Sequence, residues 1–141
     1  MPPPSPLSTQ ISTILNTYLS AFNTADYKTA SKHYHSPAMA ISASGVTILP
    51  SPCQMADLLS ATVTKLKEDN FDHSEWVGEK KIIVLEDEGE KGLVMASCGC
   101  KRVRKDGSSC EEFTATYTLR KVRGEWLIVS IHQHPLNTQL N

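Results

Sequence analysis

The sequence has almost no charge imbalance, because 14 Lys and Arg residues face 15 Asp and Glu residues, for a net charge of -1. Proteins that bind the nucleic-acid backbone depend on an excess of Lys and Arg, so we expect no nucleic-acid partner. No apolar run approaches the ~20 residues of a transmembrane helix, so we expect no membrane partner. Residues 1–6 have neither a basic nor an apolar stretch. That start argues against a secretory signal and predicts a cytoplasmic location.

Cofactor and metal motifs are also missing. The sequence has no glycine-rich phosphate loop, no GxSxG elbow and no dinucleotide fingerprint. Cys98 and Cys100 are one residue apart in a strand-like stretch, where a disulfide would be strained, so reduced thiols are expected. An intervening strand would keep this pair ~9.6 Å from His132 and His134, too far for one zinc ion. We therefore expect no metal and no cofactor.

Three helices are predicted in the first half of the 141-residue chain. Apolar residues recur at helical spacing in the first of them: Ile11, Ile14, Leu15, Tyr18, Leu19 and Phe22. A second helix after Asn23 carries Tyr27, Ala30 and Tyr34 on one face and ends at Pro37. A third begins at the capping box formed by residues 51–54.

Strands dominate the rest of the sequence. Residues 38–49 predict a short hairpin, and the segments 72–86, 93–105, 113–120 and 126–134 predict a four-stranded meander. Helices on one face of a curved antiparallel sheet make an α+β domain. We expect a disordered Pro-rich leader over residues 1–7, one domain over 8–135 and a C-terminal tail over 136–141.

Several short motifs carry a resemblance to a known family. They are Tyr18 in the segment YLSAFNTAD, Tyr34, the turn RVRKDG at 102–107, YTLRK at 117–121, and GEWLIV at 124–129. Together they resemble the nuclear transport factor 2-like superfamily and its SnoaL-like, ketosteroid-isomerase-like branch. The resemblance implies a cone, in which the curved sheet wraps around three helices and leaves an internal apolar pocket. It also implies a homodimer formed through the outer surface of the sheet.

The resemblance to ketosteroid isomerases places Tyr18 at the oxyanion tyrosine. It places Ser42 at the aspartate base and Thr116 at the second aspartate, so both carboxylates are missing. Serine is not a base near neutral pH without an activating partner, so the isomerase site is not reproduced literally. Tyr18 lies within the apolar stripe, and a core role and a pocket role are equally weighted.

Two further groups are candidates for chemistry. His73 and Glu75 project to one face of a strand and could form a general base, although a solvated strand end is the favoured alternative. Arg102 lies in a basic arm that can pair with the acidic residues at 111–112. If Arg102 faces inward, it can stabilise an anion or enolate. With Tyr18, these are the candidate catalytic residues.

The expected substrate pocket combines positions from four strands and the second helix. In the last strand, Val129, Ile131 and Gln133 are expected inside, while Trp126, Ile128 and the histidines face outward and form the dimer interface with Phe113. A one-residue shift of register would reverse this assignment. The full predicted lining is Tyr34, Met39, Trp76, Thr116, Val129, Ile131 and Gln133, with Tyr34 and Trp76 as packing residues.

The leading hypothesis is a cofactor-independent isomerase, cyclase or dehydratase (a lyase) of biosynthesis. It would act on a hydrophobic, oxygenated, polyketide- or terpenoid-like substrate by acid–base catalysis. The alternative is a non-enzymatic module for small-ligand binding or dimerisation. A cavity above ~300 Å³ with converging polar groups favours the first, and a filled core favours the second.

Overall fold

The computed structural model describes residues 6–135. Its elements are α1 (Pro6–Asn23), α2 (Tyr27–Ser31), β1 (Tyr34–Ser42), β2 (Gly45–Leu49), α3 (Pro52–Lys67), β3 (Phe71–Glu88), β4 (Lys91–Arg104), β5 (Ser109–Val122) and β6 (Glu125–His134). Because α1 begins at Pro6, the last two residues assigned to the predicted leader are helical. The rest of that leader and the predicted tail, residues 136–141, lie outside the described residues. No helix within 6–135 has the length and apolarity needed to cross a membrane.

The helices follow the apolar stripes of the sequence, with one correction. In α1, Ile11, Leu15, Tyr18 and Phe22 are all buried, as the spacing predicts. However, α2 has only five residues, and Tyr34 is the first residue of β1 rather than part of a helix. The cause is capture by the sheet, since the backbone N–H of Ile128 in β6 donates to the carbonyl oxygen of His33 at 2.8 Å.

The start of α3 matches the predicted position but not the predicted capping bond. Ser51 is the N-cap residue, and Pro52 occupies the first turn. The Ser51 hydroxyl donates to the side-chain oxygen of Gln54 rather than accepting from a backbone N–H. Position alone is therefore enough to start this helix, because proline has its φ already set for the first turn.

The six strands form one curved, unclosed sheet in the order β2-β1-β6-β5-β4-β3. The last four strands are sequential and antiparallel, as the short turns predict. β1 pairs with β6 in parallel, so the sheet is mixed rather than wholly antiparallel. The helices cover one face of this sheet, which confirms the α+β cone expected from the resemblance.

A β-bulge in β6 reverses the predicted faces of its first half. Thr118 of β5 pairs with Ser130, but the next residue, Leu119, pairs with Ile128, which leaves Val129 as an extra residue. An extra residue shifts the alternation of side chains by one position. Ile128 is consequently fully buried in the core, whereas the sequence pattern predicts it on the outer surface.

The apolar residues assigned to a dimer interface therefore need correcting. Trp126, Ile128 and Phe113 are at most 7% exposed and all belong to the hydrophobic core of one chain. They are not available to a partner. The homodimer stays a prediction, without the apolar anchors that first suggested it. The four cysteines are free, which agrees with the expectation of unbridged Cys98 and Cys100.

Candidate functional site

A cavity of about 470 Å³ lies between the helices and the concave face of the sheet. Its volume is within the ~300–1,000 Å³ that small-molecule sites occupy. The apolar part of its wall comes from Leu19, Phe22, Ala40, Ile41, Met55, Leu58, Leu59, Phe113 and Ile131. The exposed tip of the β1–β2 hairpin, including Ser44 and Val46, lies at its edge and marks the opening.

Three buried tyrosines form a cluster on the cavity wall. Tyr18 of α1 lies 5.4 Å from the ring of Tyr34 and 6.3 Å from that of Tyr117, both edge-on. The Tyr34 hydroxyl donates to the Tyr18 hydroxyl oxygen at 3.0 Å. Within the described residues, the Tyr18 proton has no acceptor of its own. Tyr18 is thus both a core residue and a cavity residue, and its hydroxyl can donate to a ligand.

Burial keeps these phenols neutral. It raises the pKa of Tyr18 to about 12, and it raises the pKa values of Tyr34 and Tyr117 well above the usual value. The cause is desolvation, because a phenolate loses its hydration in the apolar interior. All three hydroxyls are hydrogen-bond donors across the physiological pH range.

The raised values predict alkaline unfolding. A group with a raised folded pKa stabilises the protein below its unfolded pKa near 10, and this stability is lost as pH rises toward 12. For Tyr18 alone the loss is about 3 kcal/mol. Urea titrations between pH 9 and 12 should show it, and Tyr18→Phe should reduce the pH dependence. The matched change Tyr27→Phe, at a half-buried tyrosine, should leave most of the pH dependence of stability in place. An equal pH dependence in both variants would contradict the assignment of this effect to Tyr18.

Arg102 of β4 faces inward and lines the cavity although it is only 5% exposed. Its Nε donates to Oε1 of Glu111 at 2.8 Å. Its guanidinium lies over the ring of Phe113, with Cζ 4.8 Å from the ring centroid. Its two terminal nitrogens make no hydrogen bond to the described residues. Arg102 therefore forms the predicted cross-strand ion pair with an acidic residue of β5. Only one of its three guanidinium nitrogens takes part in this pair.

β3 contributes Ser74 and Trp76 to the cavity wall. Nε1 of Trp76 is buried and has no hydrogen-bond partner among residues 6–135. The Ser74 hydroxyl is also buried, and its side-chain partner there is the thiol of Cys100, which is only a weak donor and acceptor. Buried polar groups are nearly always paired, so each such atom in a cavity needs an explanation. A bound ligand with oxygen acceptors would supply it.

The geometry of β3 places the predicted His73–Glu75 base outside the cavity. A register shift between Phe71 and His73 turns Ser74 and Trp76 inward, and it leaves His73 and Glu75 on the outer face. His73 contacts Asp72 at 2.7 Å and Glu75 at 3.6 Å, so a histidine–carboxylate group does form. These side chains are about 40–50% exposed and do not line the cavity. They are a solvated strand end, outside the candidate site.

Asn23, the last residue of α1, fixes the inner edge of this wall. Its Nδ2 donates to the carbonyl oxygen of Ser74, and the Ser74 N–H donates to its Oδ1, both at 2.8 Å. β3 is an edge strand, and at this point the side chain of Asn23 bonds it as a neighbouring strand would. No local sequence pattern signals this contact, because it joins residues 51 positions apart.

The remaining predicted pocket residues divide into two groups. Tyr34, Ile131 and Gln133 line the cavity. Ser42, which the resemblance places at the position of the isomerase base, also lines it. Met39, Thr116 and Val129 do not line it, which corrects three assignments. In each case the position of the residue in its strand explains why its side chain is not part of the lining.

Met39 and Thr116 lie on the wrong face of their strands. Met39 alternates with Ala38 and Ala40, of which Ala40 lines the cavity. Thr116 precedes Tyr117 and points away from it, with its hydroxyl bonded to Ser97 at 3.2 Å and to His134 Nε2 at 2.6 Å.

Val129 is the bulge residue of β6, outside the regular alternation. Tyr117, Cys100 and Ser74 line the cavity although the sequence analysis does not assign them to the pocket. The apolar alternation of Phe113, Ala115, Tyr117 and Leu119 in β5 is the signal that could have identified Tyr117.

The polar side chains of the cavity include many donors and no anionic group among residues 6–135. Phenols, an indole, a guanidinium, serine and threonine hydroxyls and the amide of Gln133 line it. Among its lining residues within 6–135, none is Asp, Glu or His. Burial raises the pKa of the Cys100 thiol to about 11, so this group is also neutral near pH 7. The site can stabilise an oxygen that carries negative charge, and it holds no ordinary general base.

A curved six-stranded sheet that forms a cavity against three helices defines a protein of the nuclear transport factor 2-like class. The family model described as "NTF2-like protein (DUF6841)" matches residues 9–136. The chain therefore belongs to this NTF2-like family. Curated protein sequences contain no significant match.

Solved structures share the fold at low sequence identity. Aln2 from a Streptomyces species superposes with a TM-score of 0.71 at 17% identity, covering 94% of this chain and 93% of that one. An NTF2-like protein with a cystatin-like fold from Novosphingobium aromaticivorans gives 0.67 at 15%, covering 92% and 81%. A protein of unknown function from Nostoc punctiforme gives 0.66 at 11%, covering 92% of each chain. These likenesses concern the fold alone.

Proposed function

We propose that the cavity binds a hydrophobic small molecule through an oxygen atom of that molecule. The observation that carries the proposal is the combination of apolar walls with donors that lack a strong acceptor among residues 6–135, namely Ser74, Trp76 and the Tyr18 hydroxyl. Leaving such donors unpaired costs about 1–3 kcal/mol each, whereas a carbonyl or similar oxygen would satisfy them. Apolar surface with a few converging polar groups is typical of a ligand site.

A catalytic role is the second candidate, and a specific observation favours it. The Tyr34–Tyr18 hydroxyl pair lies on the same cavity wall as Arg102, and donors placed at a developing oxyanion lower reaction barriers. The reaction would be a cofactor-free isomerisation, cyclisation or dehydration of an oxygenated, polyketide- or terpenoid-like compound. Because the cavity holds no carboxylate or imidazole among residues 6–135, the substrate would need a proton acidic enough for water to remove.

A cavity-filling variant tests the binding proposal. Ala40 lines the cavity, and Ala40→Phe should occupy space that a ligand needs. Titration calorimetry with the aromatic ketone 2-acetylnaphthalene should show binding to the unmodified protein and an affinity about tenfold or more lower in the variant, or ~1.4 kcal/mol. Ala61→Phe on the exposed face of α3 is the matched control and should bind normally. Equal ketone binding in both variants would refute the proposal, as would failure of the unmodified protein to bind either the ketone or its carboxylate analogue 2-naphthoate.

A further inference from the structure

We infer that the oxygen group held in the cavity is a carboxylate, and that Arg102 is its anchor. This inference rests on the proposed function and narrows it from oxygenated ligands to hydrophobic monocarboxylic acids. Three features of Arg102 support it: its burial, its incomplete pairing, and the kind of atoms that surround it.

Arg102 is a cation with little access to water. At 5% exposure its guanidinium has lost most of its hydration, and guanidinium stays charged at any physiological pH. Burying a charge is costly unless it is paired and hydrogen-bonded. A strong partner on the cavity side would recover that cost.

Arg102 is paired through only one of its three guanidinium nitrogens in the described residues. Glu111 accepts from Nε, but its side chain is 49% exposed, so water screens its charge. The two terminal nitrogens, which form the fork that matches the two oxygens of a carboxylate, remain without a hydrogen bond in the described residues. The cation–π contact with Phe113, at 4.8 Å from Cζ to the ring centroid, restrains the guanidinium beside the cavity.

The surroundings favour an anion over a neutral carbonyl. Ser74 lies directly opposite Arg102 in the β3–β4 register, and the partner of its hydroxyl within residues 6–135 is the weakly bonding thiol of Cys100. A carboxylate offers about four acceptor positions, enough for the guanidinium fork and for nearby hydroxyls. No carboxylate lines the cavity among residues 6–135 to repel it. A ketone or amide would satisfy fewer donors and would leave the half-exposed Glu111 as the one carboxylate paired with Arg102 among residues 6–135.

Three probes of nearly equal size separate the possibilities. They are 2-naphthoate, its neutral amide 2-naphthamide, and 2-acetylnaphthalene, each titrated calorimetrically into the unmodified protein at pH 7. We expect the naphthoate to bind about tenfold or more tightly than either neutral probe, and its advantage to shrink as salt is added. Charge-assisted hydrogen bonds are about twice as strong as neutral ones, which is the source of the difference.

Two variants assign the preference to Arg102. Arg102→Met keeps an apolar stem while removing the charge, and it should reduce the ratio of naphthoate affinity to ketone affinity from about tenfold to about one. Glu111→Gln keeps Arg102 and removes its competing carboxylate, so naphthoate binding should be equal or tighter. Glu111→Gln also serves if Arg102→Met does not fold.

The outcomes distinguish this inference from the function on which it rests. If the ketone binds and the naphthoate has no advantage, the carboxylate anchor is wrong and the binding function stands. The anchor is also wrong if the advantage survives in Arg102→Met, or if Glu111→Gln weakens naphthoate binding. If none of the three probes binds, both proposals are overturned.

Discussion

Replacing Ile128 by alanine is expected to lower the free energy of unfolding by about 2–5 kcal/mol, because the side chain is fully buried and its removal leaves a cavity in the core. Val129→Ala, at the adjacent bulge residue, is the control. Val129 is half-buried and outside the core cluster, so a loss of roughly 1 kcal/mol or less is expected. Urea denaturation of both variants gives the comparison directly.

The order of these two effects tests the bulge itself. If β6 alternated regularly from the pocket residue Ile131, Val129 would face inward and Ile128 outward. Val129→Ala would then be the more damaging substitution. That result would contradict the register of β5 and β6 and would return Ile128 to the outer surface as a candidate for subunit contact.

Asn23→Ala is expected to cost about 2–3 kcal/mol, since it leaves the backbone N–H and carbonyl of Ser74 without their partners in a part-buried position. It should also weaken binding of the naphthalene probes, because Ser74 and Trp76 lose the contact that fixes them. Denaturation and probe titration measure the two effects separately.

Asn16→Ala, on the exposed face of the same helix, is the matched control for this variant. It should leave stability unchanged or slightly higher, because alanine has the better helix propensity. A change in the stability of Asn23→Ala as small as that of the control would mean that water replaces the amide at Ser74.

Sequence patterns predict this fold well wherever one local rule operates. The apolar stripe of α1 requires a buried face, and the turns between the last four strands leave few alternatives to an antiparallel meander. They fail at Tyr34, which has a helical spacing to Tyr27 but belongs to β1. Just before Tyr34, the carbonyl oxygen of His33 accepts a hydrogen bond from the N–H of Ile128. The two residues are almost a hundred positions apart, so no local pattern predicts this contact.

The site was harder to predict for a related reason. Strand periodicity gives the relative orientation of neighbours, so it correctly placed His73 and Glu75 on one face. It does not give the absolute face after a bulge, and the shift near Phe71 put that pair outside the cavity. Arg102 could be identified only conditionally, because its inward orientation depends on the sheet. The Asn23–Ser74 contact depends on tertiary structure throughout.

The position of β6 has a consequence for how the chain acquires its structure during synthesis. This strand is near the end of the sequence, yet it lies between β1 and β5 and is their shared neighbour. β1 and β2 can pair as a hairpin early, but they cannot join the meander until residues 125–134 have left the ribosome. Such non-local pairing is slow, and its partners stay exposed until it forms. A nascent chain that stops before Glu125 would therefore present two unjoined sheet fragments, which makes it a substrate for chaperones or proteases rather than a smaller folded domain.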